Sequence, residues 1–128
     1  MHPKKLEAVT KLDGPERYGY FVRKVADGEV AWGLESAGWA AGEDDSGRLA
    51  FVTWPEREFA ELCATDSWSH YVAKELELDH LLRVFLPGLQ RDGSLVAVFP
   101  TPTNKAVFVE PARLIEDLRL ELEQYEDA

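Results

Sequence analysis

The densest run of cation-holding groups in the chain is Glu43-Asp44-Asp45, three consecutive carboxylates. Hard cations take oxygen ligands. A calcium-hand loop, however, alternates its acids and ends on a glutamate, and consecutive acids fail that spacing. Neighbouring residues of a strand and turn also point apart, so a shared ion would need ligands from elsewhere. The run reads as a solvated hairpin turn. His70 and His80 titrate near neutrality, but two separated histidines and one cysteine do not make a zinc pattern. Cys63 falls on an apolar stripe with Phe59 and Leu62. That setting suits a small buried hydrophobe; a nucleophilic thiolate needs exposed, electropositive surroundings. Ser67 and Ser69 flank His70 without a GxSxG elbow, and no glycine cluster stands between a strand and a helix start to cradle phosphate. No catalytic, cofactor-binding or metal-binding residue is assigned.

The tryptophans carry more. Trp32 and Trp54 read as core anchors, and packing is the default for Trp39 and Trp68 as well. Exposure of either would make it an interface anchor, the common role of surface aromatics. The candidate partner-binding residues are therefore Trp39, Trp68, Glu43, Asp44 and Asp45.

These residues need elements to hold them. Pro3 to Leu12 reads as an amphipathic helix with Leu6, Val9 and Leu12 inward. Asp13 and Glu16 mark a second helix start, with Tyr18, Phe21, Val22 and Val25 on one face. Asp27-Gly28 ends it, the glycine supplying a left-handed residue. Val30, Trp32 and Leu34 alternate with Ala31, Gly33 and Glu35, as on a half-buried strand. Turns at Ser36-Ala37-Gly38 and Glu43 to Gly47 separate it from strands at Trp39–Ala41 and Leu49–Trp54, which together read as a meander. Pro55 suits the first turn of a helix, with Glu56 and Glu58 at its positive end. Phe59, Leu62 and Cys63 form its inner face.

A strand is expected from Tyr71 to Leu76. A helix opening at Glu77 or Asp79 follows, with Leu81, Leu82, Phe85, Leu86 and Leu89 inward. Pro87 either kinks that helix or makes its last turn irregular. Leu95 to Phe99 reads as a central strand. Pro100 to Asn104 forms a loop, and Ala106 to Val109 a strand hairpinned onto the previous one. Pro111 opens a last helix with Leu114, Ile115, Leu118, Leu122 and Tyr125 inward and an acidic outer face from Glu116 to Asp127. The order ααβββαβαββα predicts one α+β domain over 1–128, a mostly antiparallel sheet of five to six strands covered by helices.

The 128 residues are enough to bury a core. With 45% apolar and 30% charged residues, the composition is that of a soluble folded chain. No apolar run nears the roughly 18 residues that span a bilayer, and MHPKKLEAVT lacks the apolar segment of a secretory signal. With a single cysteine, these features fit a cytoplasmic protein. A net charge of −10 disfavours nucleic acid and anionic membranes. Its first reading is a surface charge that keeps the protein soluble, and its second is long-range steering of a basic protein partner.

Across nearly the whole chain, AVTKL, ERYGYFVRKVAD, WGL, GWA, DDSGR, WP, EFAELCA, FLPGL, DG and VAVFPTP occur in that order, before a closing Pro–Leu–Leu-Glu–Tyr pattern. The chain so resembles the bacterial domain-of-unknown-function family 2750. The resemblance implies a bacterial cytoplasmic protein of about this length and carries no catalytic or cofactor role onto any position. From Leu49 onward the element order is also similar to the amino-terminal domain of the enhanced-serine-sensitivity proteins. That fold-level likeness implies a binding domain without catalytic machinery.

Three functions follow as expectations: a non-catalytic protein-binding module, an immunity-type protein neutralising a basic toxin, or a small-molecule enzyme using carboxylate and His70 or His80 acid–base chemistry. The first accounts best for many aromatics beside no assembled reactive set.

Overall fold

Asp13 opens the longest helix of the first half as expected, its Oδ1 accepting the Glu16 N–H at 2.8 Å. The computed structural model describes residues 1–126, so the expected acidic position Asp127 lies outside the described residues. The order is α1 (Pro3–Thr10), α2 (Gly14–Gly28), β1 (Val30–Glu35), β2 (Ala41–Glu43), β3 (Leu49–Thr53) and α3 (Arg57–Leu62). A short 3₁₀ turn (Asp66–Trp68) leads to β4 (Val72–Glu77) and α4 (Leu78–His80). After a widened π turn (Leu81–Phe85) come α5 (Leu86–Asp92), β5 (Leu95–Val98), β6 (Val107–Val109) and α6 (Pro111–Glu126). The architecture is α+β, and three of the four strand ladders are antiparallel.

The strands do not form the expected meander. β1 pairs with β4, and a second sheet runs β2-β3-β5-β6 with β3 and β5 parallel. The reason lies between β1 and β2. Trp32 and Trp54 exchange backbone hydrogen bonds at 2.9 and 2.8 Å, so β1 lies along one edge of β3. Further down the same edge β2 pairs with Ala50. Where the two meet, the Ala40 N–H donates to the Leu34 carbonyl at 2.8 Å and closes a loop. β1 and β2 are thus successive pieces of one neighbour of β3, interrupted by an excursion through Ser36 to Trp39. The second strand accordingly begins at Ala41, two residues after the expected Trp39. The Trp39 ring folds back over Gly33, where a Cβ would stand 2.8 Å from it.

Other departures have local causes. The left-handed residue ending α2 is Glu29 (φ 58°), because its own N–H, not that of Gly28, caps the Val25 carbonyl at 2.9 Å. α3 starts at Arg57 rather than Pro55. Trp54 is still bridged to Trp32, and Glu56 is extended with its carboxylate held by the Tyr20 hydroxyl at 2.5 Å. Pro87 disturbs the turn before it, since its ring crowds the carbonyl four residues back and its missing N–H leaves a bond unmade.

Leu114 and Leu118 of α6 are fully buried, but Tyr125 is 45% exposed. It lies beside Ala26, Asp27 and Glu29 where α2 runs out. The core fills the space between the helices and the sheet: Phe21 and Val25 of α2, Trp54, Phe59, Leu81, Leu86, Val96, Val98, Phe99, Leu114 and Leu118. No helix among the described residues is long and apolar enough to cross a membrane.

Candidate functional site

Alternation along β3 and β5 decides which face of the four-stranded sheet is roofed. Phe51 points to the helices, its ring 4.6 Å from Phe85 and 5.4 Å from Trp39. Its neighbours Ala50 and Val52 therefore face the other way, and register brings Val52 beside Ala97 and Ala97 beside Phe108. On that second face lies a groove of about 270 Å³. Val52 and Ala97 line it with Gly42, Phe108, Trp68 and Pro100, while Glu43, Asp45 and Lys105 border it. Phe108 is 37% exposed. Trp68 stands edge-on to the fully buried Trp54 at 6.2 Å, and Trp54 Nε1 donates to the Pro100 carbonyl at 2.9 Å.

The groove is held from below by an unusual residue. Arg17 is almost fully buried, yet its guanidinium donates to three backbone carbonyls: Leu12 at 2.8 Å, Phe99 at 3.0 Å and Lys105 at 2.7 Å. Both ends of the Phe99–Lys105 loop are thereby fixed to α2. Phe99 adopts φ 53°, a left-handed conformation that costs a bulky residue about 1–3 kcal/mol. Its ring is enclosed by Phe59 at 4.9 Å and Tyr20 at 6.0 Å, and its N–H bonds the Thr53 carbonyl at 2.8 Å. These contacts offset the backbone cost and aim Pro100 at the groove.

The structure gathers three of the five candidates and separates two. Glu43, Asp45 and Trp68 meet at the groove. Asp44 instead closes its own turn. Its Oδ1 accepts the Ser46 N–H at 2.9 Å, the Ser46 hydroxyl at 2.7 Å and the Arg48 N–H at 2.9 Å. Those bonds, the Ser46 hydroxyl first, hold its carboxyl below the usual aspartate value. Trp39 is half-buried on the helix-covered face against Phe51 and Phe85. Beside the acidic turn, Arg48 reaches across to Glu110 at 2.7 Å and to the Gly93 carbonyl at 3.0 Å.

Reactive groups are placed elsewhere. His70 and His80 are exposed, and neither lines the groove. Cys63 is buried with its Sγ donating to the Pro100 carbonyl at 3.4 Å, and burial pushes the thiol up, away from thiolate. No three His, Cys, Asp or Glu side chains are grouped to hold a metal ion among the described residues. Reading the sequence misses Phe108, Lys105, Pro100 and the small floor residues Gly42, Val52 and Ala97. The available signal is the small side chains of Gly42, Val52 and Ala97, which make a low floor for larger side chains from elsewhere to wall.

Fold and groove together define a small α+β domain whose sheet carries helices on one face and an aromatic-walled groove on the other. The chain belongs to the family described as Protein of unknown function (DUF2750), whose model matches residues 18–118. No curated protein and no solved structure matches it, so neither comparison supports the expected likeness to the enhanced-serine-sensitivity domain.

Proposed function

We propose that this protein is a non-catalytic protein-binding module, taking a basic segment of a partner into the groove on the sheet face away from the helices. One observation carries the reading: Trp68 and Phe108 wall an apolar floor whose border holds Glu43 and Asp45 against one lysine, Lys105. Exposed aromatic anchors with a polar rim are the usual anatomy of a protein interface. A net charge of −10 adds long-range attraction for a basic partner.

The test is affinity capture from a lysate of the source cells, with the wild type beside a Glu43→Gln, Asp45→Asn, Phe108→Ala variant. Asp44 is left intact because its carboxylate closes the turn. A basic protein captured by the wild type, released by salt and missing from the variant is the expected result. Identical captured sets from both proteins overturn the groove as the binding surface.

A further inference from the structure

β2 is the edge of the four-stranded sheet, yet the edge it occupies is covered only in part. Along the upper half β1 lies against β3, and β4 covers the outer side of β1 from Val30–Glu77 to Glu35–Val72. Below that point β4 ends and β2 continues without a strand beside it among the described residues. The sheet therefore has a notch one strand wide, next to β2 and in line with β4.

The backbone of β2 is set to fill it. The Asp44 N–H donates inward to the Arg48 carbonyl at 3.0 Å. Antiparallel ladders alternate, so Gly42 also faces β3, while Ala41 and Glu43 turn their N–H and C=O groups outward. Both residues are exposed. Val72, the first residue of β4 and 65% exposed, stands at the end of this notch. Open strand edges are templates for pairing with another chain.

We infer that the partner of the proposed binding module docks as an added strand on β2, an extended segment alternating apolar and basic residues. The inference rests on the protein-binding reading and deepens it. Backbone hydrogen bonds to Ala41 and Glu43 fix the register. Alternate side chains of the incoming strand share the face of Glu43, where its basic ones meet that carboxylate and Asp45, and those between share the face of Gly42, where its apolar ones turn toward the groove. The charge complementarity of those two carboxylates selects the basic sequence over an acidic one. Edge pairing also brings the segment to Gly42, where the groove begins.

The probe is the capped peptide Lys-Val-Lys-Val-Lys, beside its Glu-for-Lys analogue and a version N-methylated at alternate amides. Binding and amide exchange are followed residue by residue by NMR on the full chain. Expected are saturable shifts from Ala41 to Asp45 and exchange at Ala41 and Glu43 slowed at least about tenfold. Both control peptides should bind at least about tenfold more weakly. A Glu43→Pro protein should lose the same affinity, since that N–H points outward and its removal breaks no internal bond. If that variant misfolds, the N-methylated peptide gives the same readout on the wild type. Equal binding of the N-methylated peptide, or binding without amide protection, overturns strand addition. If such binding is still lost in a Trp68→Ala, Phe108→Ala protein, the groove reading survives. No saturable binding of the lysine peptide at millimolar concentration overturns the inference, and the capture experiment then judges the module reading by itself.

Discussion

Gly33 shows how one residue decides what a tryptophan can do. A Cβ there would stand 2.8 Å from two carbons of the Trp39 ring and 3.3 Å from Phe51. That ring is wedged between Phe51 and Phe85 and has little room to retreat. Gly33→Ala should therefore cost about 1–3 kcal/mol in urea unfolding, as overpacked cores do, with a changed near-ultraviolet tryptophan signal. Gly38→Ala is the control, because nothing lies within 4 Å of its added methyl. Equal stability of the two variants would show Trp39 loosely held, and so available to a partner. Asp44 makes the complementary point: a carboxylate that looks like part of an acidic binding run is committed to its own turn.

Two tyrosines tie elements together. The Tyr18 hydroxyl donates to Asp117 at 2.6 Å and joins α2 to α6, while Tyr20 donates to Glu56 and joins α2 to the start of α3. Burial first, and then the adjacent carboxylate, raises both phenols well above the ordinary tyrosine value of 10.0. The unfolded chain then loses these protons more readily than the folded one. Their stabilisation is complete below pH 10 and drains away as pH climbs past it. Thermal melts should show a steep alkaline limb beginning there, and a Tyr18→Phe, Tyr20→Phe protein should show a shallower one. The same variant should lose about 0.5–1.5 kcal/mol per hydrogen bond at neutral pH. An alkaline limb of unchanged slope would place the titrating groups elsewhere. Pro87 belongs to this scale as well. Its sequence position announces a disturbance, but only packing puts the widened turn at Leu81–Phe85, where Leu81 and Leu82 are buried and Phe85 reaches Phe51.

For the whole molecule, the −10 charge sets the balance between self-repulsion and solubility. Surface ion pairs such as Lys11–Glu7 and Arg83–Asp79 are largely exposed and offset little of that repulsion. Raising ionic strength from about 0.01 M to about 0.15 M shortens the screening length from about 30 Å to about 8 Å. Tm should rise over that range, and scanning calorimetry across a salt series reads it directly. A falling Tm would mean that bridges such as Arg48–Glu110 outweigh the net repulsion.

The elements and most of the buried positions are legible in the order of residues alone. Periodicity at Phe21, Val25, Leu114 and Leu118, the apolar run at Leu95–Val98 and the Asp13 cap are local signals, and local physics settles them. How the strands associate is a matter of long-range packing. Val30–Glu35 and Trp39–Ala41 read as neighbouring strands of a meander because they are close in the chain, whereas backbone pairing with the distant Trp54 and Ala50 sets β1 and β2 in line on one edge of β3. The candidate site follows from that. Trp68, Phe108 and the Glu43–Asp45 pair come from three separate stretches, and no spacing rule links them. They meet because Arg17 fixes the Phe99–Lys105 loop and because the small residues Val52 and Ala97, themselves buried, form a low floor between those walls.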